Sequence, residues 1–103
     1  MAKNMYNSKY KFEWDEKKNL ANIAKHGISF HEAQEAFRDE RRVIEDDSAH
    51  SDSEDRFYCL GYVNGRVATV RFTMRHKRIR IIGAGHWRDG RKRYERKNRR
   101  TDI

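Results

Sequence analysis

The dipeptide Asn64-Gly65 lies between two apolar-rich runs, 56–63 and 66–74, and nothing else in the chain limits the fold so tightly. A two-residue type I′ turn needs positive φ at both central positions, which Asn and Gly tolerate, and its twist returns the second strand antiparallel to the first. A hairpin is therefore expected. In its returning strand Ala68, Val70, Phe72 and Met74 alternate with Thr69, Arg71, Thr73 and Arg75, so one face packs and the other is polar and cationic. A further turn near His76-Lys77 leads to a strand at 78–84, where Ile79 and Ile81 alternate with Arg78 and Arg80 and which ends among Gly83 and Gly85. A short strand at 42–45 precedes the hairpin, joined to it by the acidic, Ser-rich connection 46–55.

Residues 1–9 read as a loose leader. Tyr10, Phe12 and Trp14 then alternate with Lys11 and Glu13, the period of a short strand. Asp15 suits an N-cap, Leu20, Ile23 and Ala24 form a narrow apolar stripe, and Gly27 suits a left-handed C-cap, which predicts a helix over 16–26. Ser29 and Glu32 form a capping box with Ile28 and Ala33 at the staple positions. A second helix therefore begins at Phe30 and buries Phe30, Ala33 and Phe37, after a sharp corner over 27–29. A short, very basic helix at 89–98 follows Trp87 and carries Tyr94 as its only large apolar residue. The expected class is α+β: an antiparallel sheet packed against two N-terminal helices, with a short basic C-terminal helix, in one domain over 1–103.

With 103 residues, 36% hydrophobic and 39% charged, the core must be lean and no multi-domain enzyme fits. No run approaches the ~18 apolar residues of a membrane span, and the N-terminus lacks a secretory apolar stretch, so a soluble cytoplasmic protein is expected. Cys59 is the sole cysteine, flanked by Tyr58 and Leu60, and reads as an inert packed thiol rather than a disulfide or metal ligand.

Charge is unevenly distributed. Residues 1–65 carry 10 Lys+Arg and 13 Asp+Glu, whereas residues 66–103 carry 14 and 3. The basic third points to a polyanionic partner such as nucleic acid, ahead of a merely solvated surface or an anionic membrane, for which no long apolar face is present. Arg71, Thr73, Arg75, Arg78 and Arg80 suit phosphate, because the planar guanidinium fork matches phosphate oxygens. Trp87, Arg88, Arg91 and Tyr94 set stackable rings beside cations, which suits an unstacked base.

Cleaving RNA without a metal requires removal of the 2′-OH proton, protonation of the leaving 5′-oxygen and stabilisation of the phosphorane. Arginines supply the last; His26, His50, His76, His86, Glu54, Lys25 and Tyr94 are the candidates for proton transfer, and spacing does not choose among them. His31, at a helix start beside Glu32, reads as a surface residue. No HExxH, H-x-x-x-H or carboxylate ladder marks a metal site, and no cofactor is expected.

The ordered set Trp14-Asp15, Lys18-Asn19, Asn22, Lys25-His26-Gly27-Ile28-Ser29-Phe30, Glu32-Ala33, Phe37 and Asp39 resembles the BrnT family of type II toxin–antitoxin ribonuclease toxins. The likeness continues through His50-Ser51, Glu54-Asp55-Arg56, Leu60-Gly61, Gly65-Arg66, Thr73-x-Arg75, Arg80-Ile81-Ile82 and Tyr94-Glu95. It implies a RelE-like fold, metal-free endoribonuclease activity that arrests translation, and a BrnA-like antitoxin that blocks the toxin and itself binds operator DNA. Carried across by position, the residues implied are Lys25, His26, His50, Glu54, Arg56, Thr73, Arg75, Arg80 and Tyr94. The chain departs from the R-I-I-S-A-R of many members: Gly83-Ala84-Gly85-His86-Trp87-Arg88 lacks that serine and second arginine, with Arg88 or His86 as substitutes. A non-catalytic nucleic-acid-binding module and a binder of an acidic protein are the alternatives.

Overall fold

A computed structural model describes residues 10–101, so the leader at 1–9 lies outside the described residues. Strand β1 (Lys11–Glu13) leads into helix α1 (Glu16–His26), then α2 (Phe30–Ala33), a 3-10 segment (Gln34–Arg38) and β2 (Val43–Asp46). A 3-10 turn (Ser48–His50) precedes β3 (Arg56–Val63), β4 (Arg66–Arg75), β5 (Arg78–Gly85) and helix α3 (Arg88–Thr101). The five strands form one sheet in the order β1-β5-β4-β3-β2. Three of the pairings are antiparallel, but β1 runs parallel to β5, so the sheet is mixed rather than antiparallel throughout. The parallel edge follows from connectivity: β1 is joined to the rest of the sheet through α1, not through a hairpin.

The turn residues act as their chemistry dictates. Asn64 and Gly65 adopt φ of 54° and 82°, and His76 and Lys77 reach 50° and 64° without glycine. Asp15 accepts from the Lys18 amide, Gly27 closes α1 at φ 71°, and Ser29 and Glu32 exchange both capping-box bonds. The second helix nevertheless lasts only four residues before tightening into the 3-10 segment. That tightened stretch rides directly on β3: a Cβ on Gly61 would stand 2.4 Å from the Ala36 carbonyl oxygen.

One sheet face carries the main core, with Phe30, Phe37, Phe72, Ile79, Ile81 and Val70 buried. Phe37 meets Phe12 and Phe72 edge-on, with ring centres 5.2 and 5.0 Å apart. Cys59 lies in this core, and burial pushes its thiol well above the ordinary range, which leaves it inert. Helix α1 does not pack as its stripe suggests, since Leu20 and Ile23 stay exposed. Two asparagines dock it instead. Asn19 Oδ1 accepts from the Phe30 amide at 2.8 Å. Asn22 donates to the carbonyls of Ile28 and Ala84 and accepts from the Ala84 amide, so its side-chain amide pairs with β5 as a strand would, beyond the reach of the short β1.

The opposite face is only partly open. Helix α3, longer than the 89–98 expected, covers one end of it with Tyr94 among Val43, Leu60 and Val67. Gly90 permits this approach, because a Cβ there would stand 2.0 Å from Thr69 Oγ1. Thr69, expected on a solvated face, is therefore buried; Thr73 is buried too, but away from α3, with its hydroxyl on the Asp55 carbonyl.

Candidate active site on the arginine face of the sheet

The uncovered end of the second face is built by strand register. Opposite residues of neighbouring strands share a face, so the pairings define cross-strand rows. Glu13, Arg80, Thr73 and Arg56 form one row across β1, β5, β4 and β3; Lys11, Arg78 and Arg75 form the next. On the other side, Glu45, Tyr58, Arg71 and Gly83 form a third. A bulge between Arg71 and Phe72 lets β5 take an extra residue while Arg71 and Thr73 keep the same face. Five arginines thus surround Thr73, whose hydroxyl donates to the Asp55 carbonyl at 2.6 Å.

The guanidinium groups do not stand free around one empty pocket, as the alternation suggested; carboxylates from flanking segments meet them. Arg75 donates to both oxygens of Glu54 at 3.2 and 3.4 Å, and Arg56 approaches the same carboxylate at 3.9 Å. Arg80 pairs with Glu13 at 3.2 Å. These pairs are partly exposed, with Arg75 at 47%, so each contributes on the order of 1 kcal/mol or less and yields readily to a stronger anion.

Arg71 differs. Its Nε lies 3.8 Å from Asp47 Oδ2, within ion-pair range but too far for a hydrogen bond, and is buried with no hydrogen-bond partner. A donor in that state gains by turning toward an anion. Asp47 itself is 3% exposed and holds His50, whose Nδ1 lies 3.0 and 3.1 Å from its two carboxylate oxygens. The carboxylate is fixed by the loop: the Asp47 amide donates to the Arg56 carbonyl, and Ser51 Oγ donates to the Asp47 carbonyl. The half-exposed imidazole is thereby committed through Nδ1, which leaves Nε2 for chemistry. Asp47 escaped the reading of the sequence; its only signal is the three-residue spacing to His50, and Asp46 competes for it.

The fold therefore brings together Arg71, Thr73, Arg75, Arg78, Arg80, Glu54 and His50, with Arg56. Lys25 and His26 lie in an adjoining groove that also has Arg71 and Trp87 in its wall. Arg88 and Arg91 line a separate pocket with Arg66 and His86, and the latter's Nδ1 is taken up by the Val67 carbonyl. Tyr94 stands apart from all of these. It is 7% exposed, donates to Asp39 Oδ2 at 2.7 Å, and is held protonated by burial and by that bond. Among the described residues, no group of three or more His, Cys, Asp or Glu side chains is placed to hold a metal ion.

A family model described as the ribonuclease toxin, BrnT, of type II toxin–antitoxin systems matches residues 14–90. The chain belongs to the BrnT family. It is thus a member of a ribonuclease-toxin family, and the match spans all of the strands that build the arginine face except β1. No curated protein sequence matches the chain. Among the described residues, no helix is long and apolar enough to cross a membrane. The BrnT match ends at Gly90, so most of α3 lies beyond it.

Proposed function

We propose that the chain is a cytoplasmic, RelE-like endoribonuclease toxin that cleaves RNA through its own side chains, without a metal, and so arrests translation. The observation that carries this reading is the position of the Asp47-held His50 beside Arg71, at the border of the arginine face. His50 Nε2 takes the proton of the ribose 2′-OH, and the oxygen attacks the adjoining phosphorus. The bond to the 5′-oxygen breaks, giving a 2′,3′-cyclic phosphate and a 5′-hydroxyl once that oxygen is protonated. His76, in the β4–β5 turn, is the second imidazole available at the Arg75 end. Arg56, Arg71, Arg75 and Arg80 meet the charge that builds on the phosphorane, the term worth most in such a reaction. In the resting protein Glu54 and Glu13 occupy two of these cations, and the substrate phosphate displaces them.

A BrnA-like antitoxin, itself bound to operator DNA, neutralises the toxin by covering this cationic face and α3, where charge complementarity gives rapid and selective pairing. The test is RNA incubated with purified protein in EDTA, with wild type and Arg75→Ala in parallel. Cleavage by the wild type, lost in the variant with the fold intact, supports the reading. Binding that weakens steeply with salt but yields no products would replace it with the non-catalytic nucleic-acid-binding module.

A further inference from the structure

We infer that Trp87 is a stacking platform for one unpaired base, so that the substrate is RNA that is single-stranded beside the scissile bond. This rests on the ribonuclease reading, and it adds the strand state of the substrate and the residue that senses it. Trp87 is a large apolar ring left 42% exposed, and its position is built rather than incidental. Its carbonyl accepts from the Arg91 amide at 3.1 Å, which fixes the backbone at the start of α3. Its ring lies over Gly85, where a Cβ would come within 2.5 Å, and meets the His26 ring edge-on at 5.0 Å.

Trp87 lines three grooves. The groove between α1 and β5 is lined by Lys18, Lys25, His26 and Arg71, and no carboxylate is among its described lining residues. Arg71 there faces Asp47 at 3.8 Å, a looser pairing than the 3.2 Å ones of Arg75 and Arg80. Arg71 continues this groove to Asp47 and His50. In a second groove lined by Trp87, Arg66, Arg88 and Arg91 stand with one carboxylate, Glu95, while the third sets Arg71 and Arg93 among Glu45, Asp46 and Asp89. Cations in grooves that meet at a half-exposed indole suit a phosphate backbone passing over a base that stacks on the ring, a contact worth about 1–3 kcal/mol per base and blind to base identity. A duplex hides its base faces and cannot use the platform.

The experiment uses a 2′-O-methyl RNA oligomer of about eight nucleotides, which binds but lacks the attacking hydroxyl, and the same sequence as a duplex. The single strand is expected to quench the tryptophan fluorescence of the wild type, and the duplex to leave it unchanged at equal salt. Trp87→Ala is expected to bind the single strand about 10-fold more weakly, and Trp87→Phe within about threefold of wild type, since a phenyl ring still stacks. The Trp87→Phe variant should also lose the quenching, because Trp14 is its remaining tryptophan. Wild-type affinity in a folded Trp87→Ala protein, or equal quenching by the duplex, overturns the inference. Should Trp87→Ala fail to fold, the contrast between single strand and duplex on the wild type decides. A wild type that cleaves RNA but shows no such contrast defeats the platform alone; one that shows the contrast without cleaving defeats the nuclease reading alone.

Discussion

Asp47→Asn isolates the arrangement on which the proposed chemistry turns. The substitution keeps the size of the side chain and leaves the backbone bonds of the loop in place, but it removes the charge that faces His50 and Arg71. The bond between His50 Nδ1 and the carboxylate is 3.0 Å long, and a hydrogen bond to a charged group is worth about 1.5–3 kcal/mol. His50 is half-exposed, so about 2 kcal/mol of this is expected to act in the step in which the imidazole carries the 2′-OH proton. That corresponds to a rate loss of about 30-fold, smaller than the roughly 100-fold or more expected from losing a general base outright. Stability should fall by only about 1–2 kcal/mol, the cost of leaving Arg71 opposite a neutral amide. Single-turnover cleavage of a labelled RNA in EDTA, with thermal melting alongside, measures both. An Asp47→Asn protein that cleaves at the wild-type rate would refute the role of the pair, and a total loss of folding would refute the claim that the loop is held by its backbone.

Glu13→Gln frees Arg80 from its ion pair; RNA binding at low salt is expected to tighten up to about fivefold while the melting temperature moves by only a few degrees, and weaker binding would place Glu13 in the site instead. Gly61→Ala drives a methyl into the Ala36 carbonyl, and neither backbone can yield cheaply. A loss of about 3 kcal/mol, or more than about 10 °C in melting temperature, is expected by calorimetry, and a near-neutral result would mean that the 3-10 segment shifts freely. Tyr94 is held above its ordinary value of 10.0 by burial and by its bond to Asp39, so the unfolded chain releases the proton first and wild-type stability falls as pH rises through about 10. Tyr94→Phe should cost about 1–2 kcal/mol at neutral pH and flatten that alkaline decline; melting curves from about pH 8 to 11 check the sign.

Much of the fold was legible because it depends on local chemistry. Asn64-Gly65, the Ser29–Glu32 box and the Asp15 and Gly27 caps are interactions within three or four residues, and all appear where expected. What misled was long-range. The Leu20–Ile23 stripe implied an apolar seat for α1, yet two asparagines hold it, because side-chain amides can satisfy the free backbone of β5 and an alternation pattern does not register that need. The short second helix was hidden for the same reason: Ala36 meets Gly61 across a separation of 25 residues.

The candidate site divides along the same line. The alternation of Arg71, Thr73, Arg75, Arg78 and Arg80 settled that five polar positions share one sheet face, since a strand's period of two leaves no other arrangement. Which carboxylate meets which arginine, that Asp47 rather than Asp46 holds His50, and that Tyr94 is sealed beneath α3 were decided only by folding. Periodicity orders residues along a strand, whereas ion pairing and burial depend on which segments the chain closes over them.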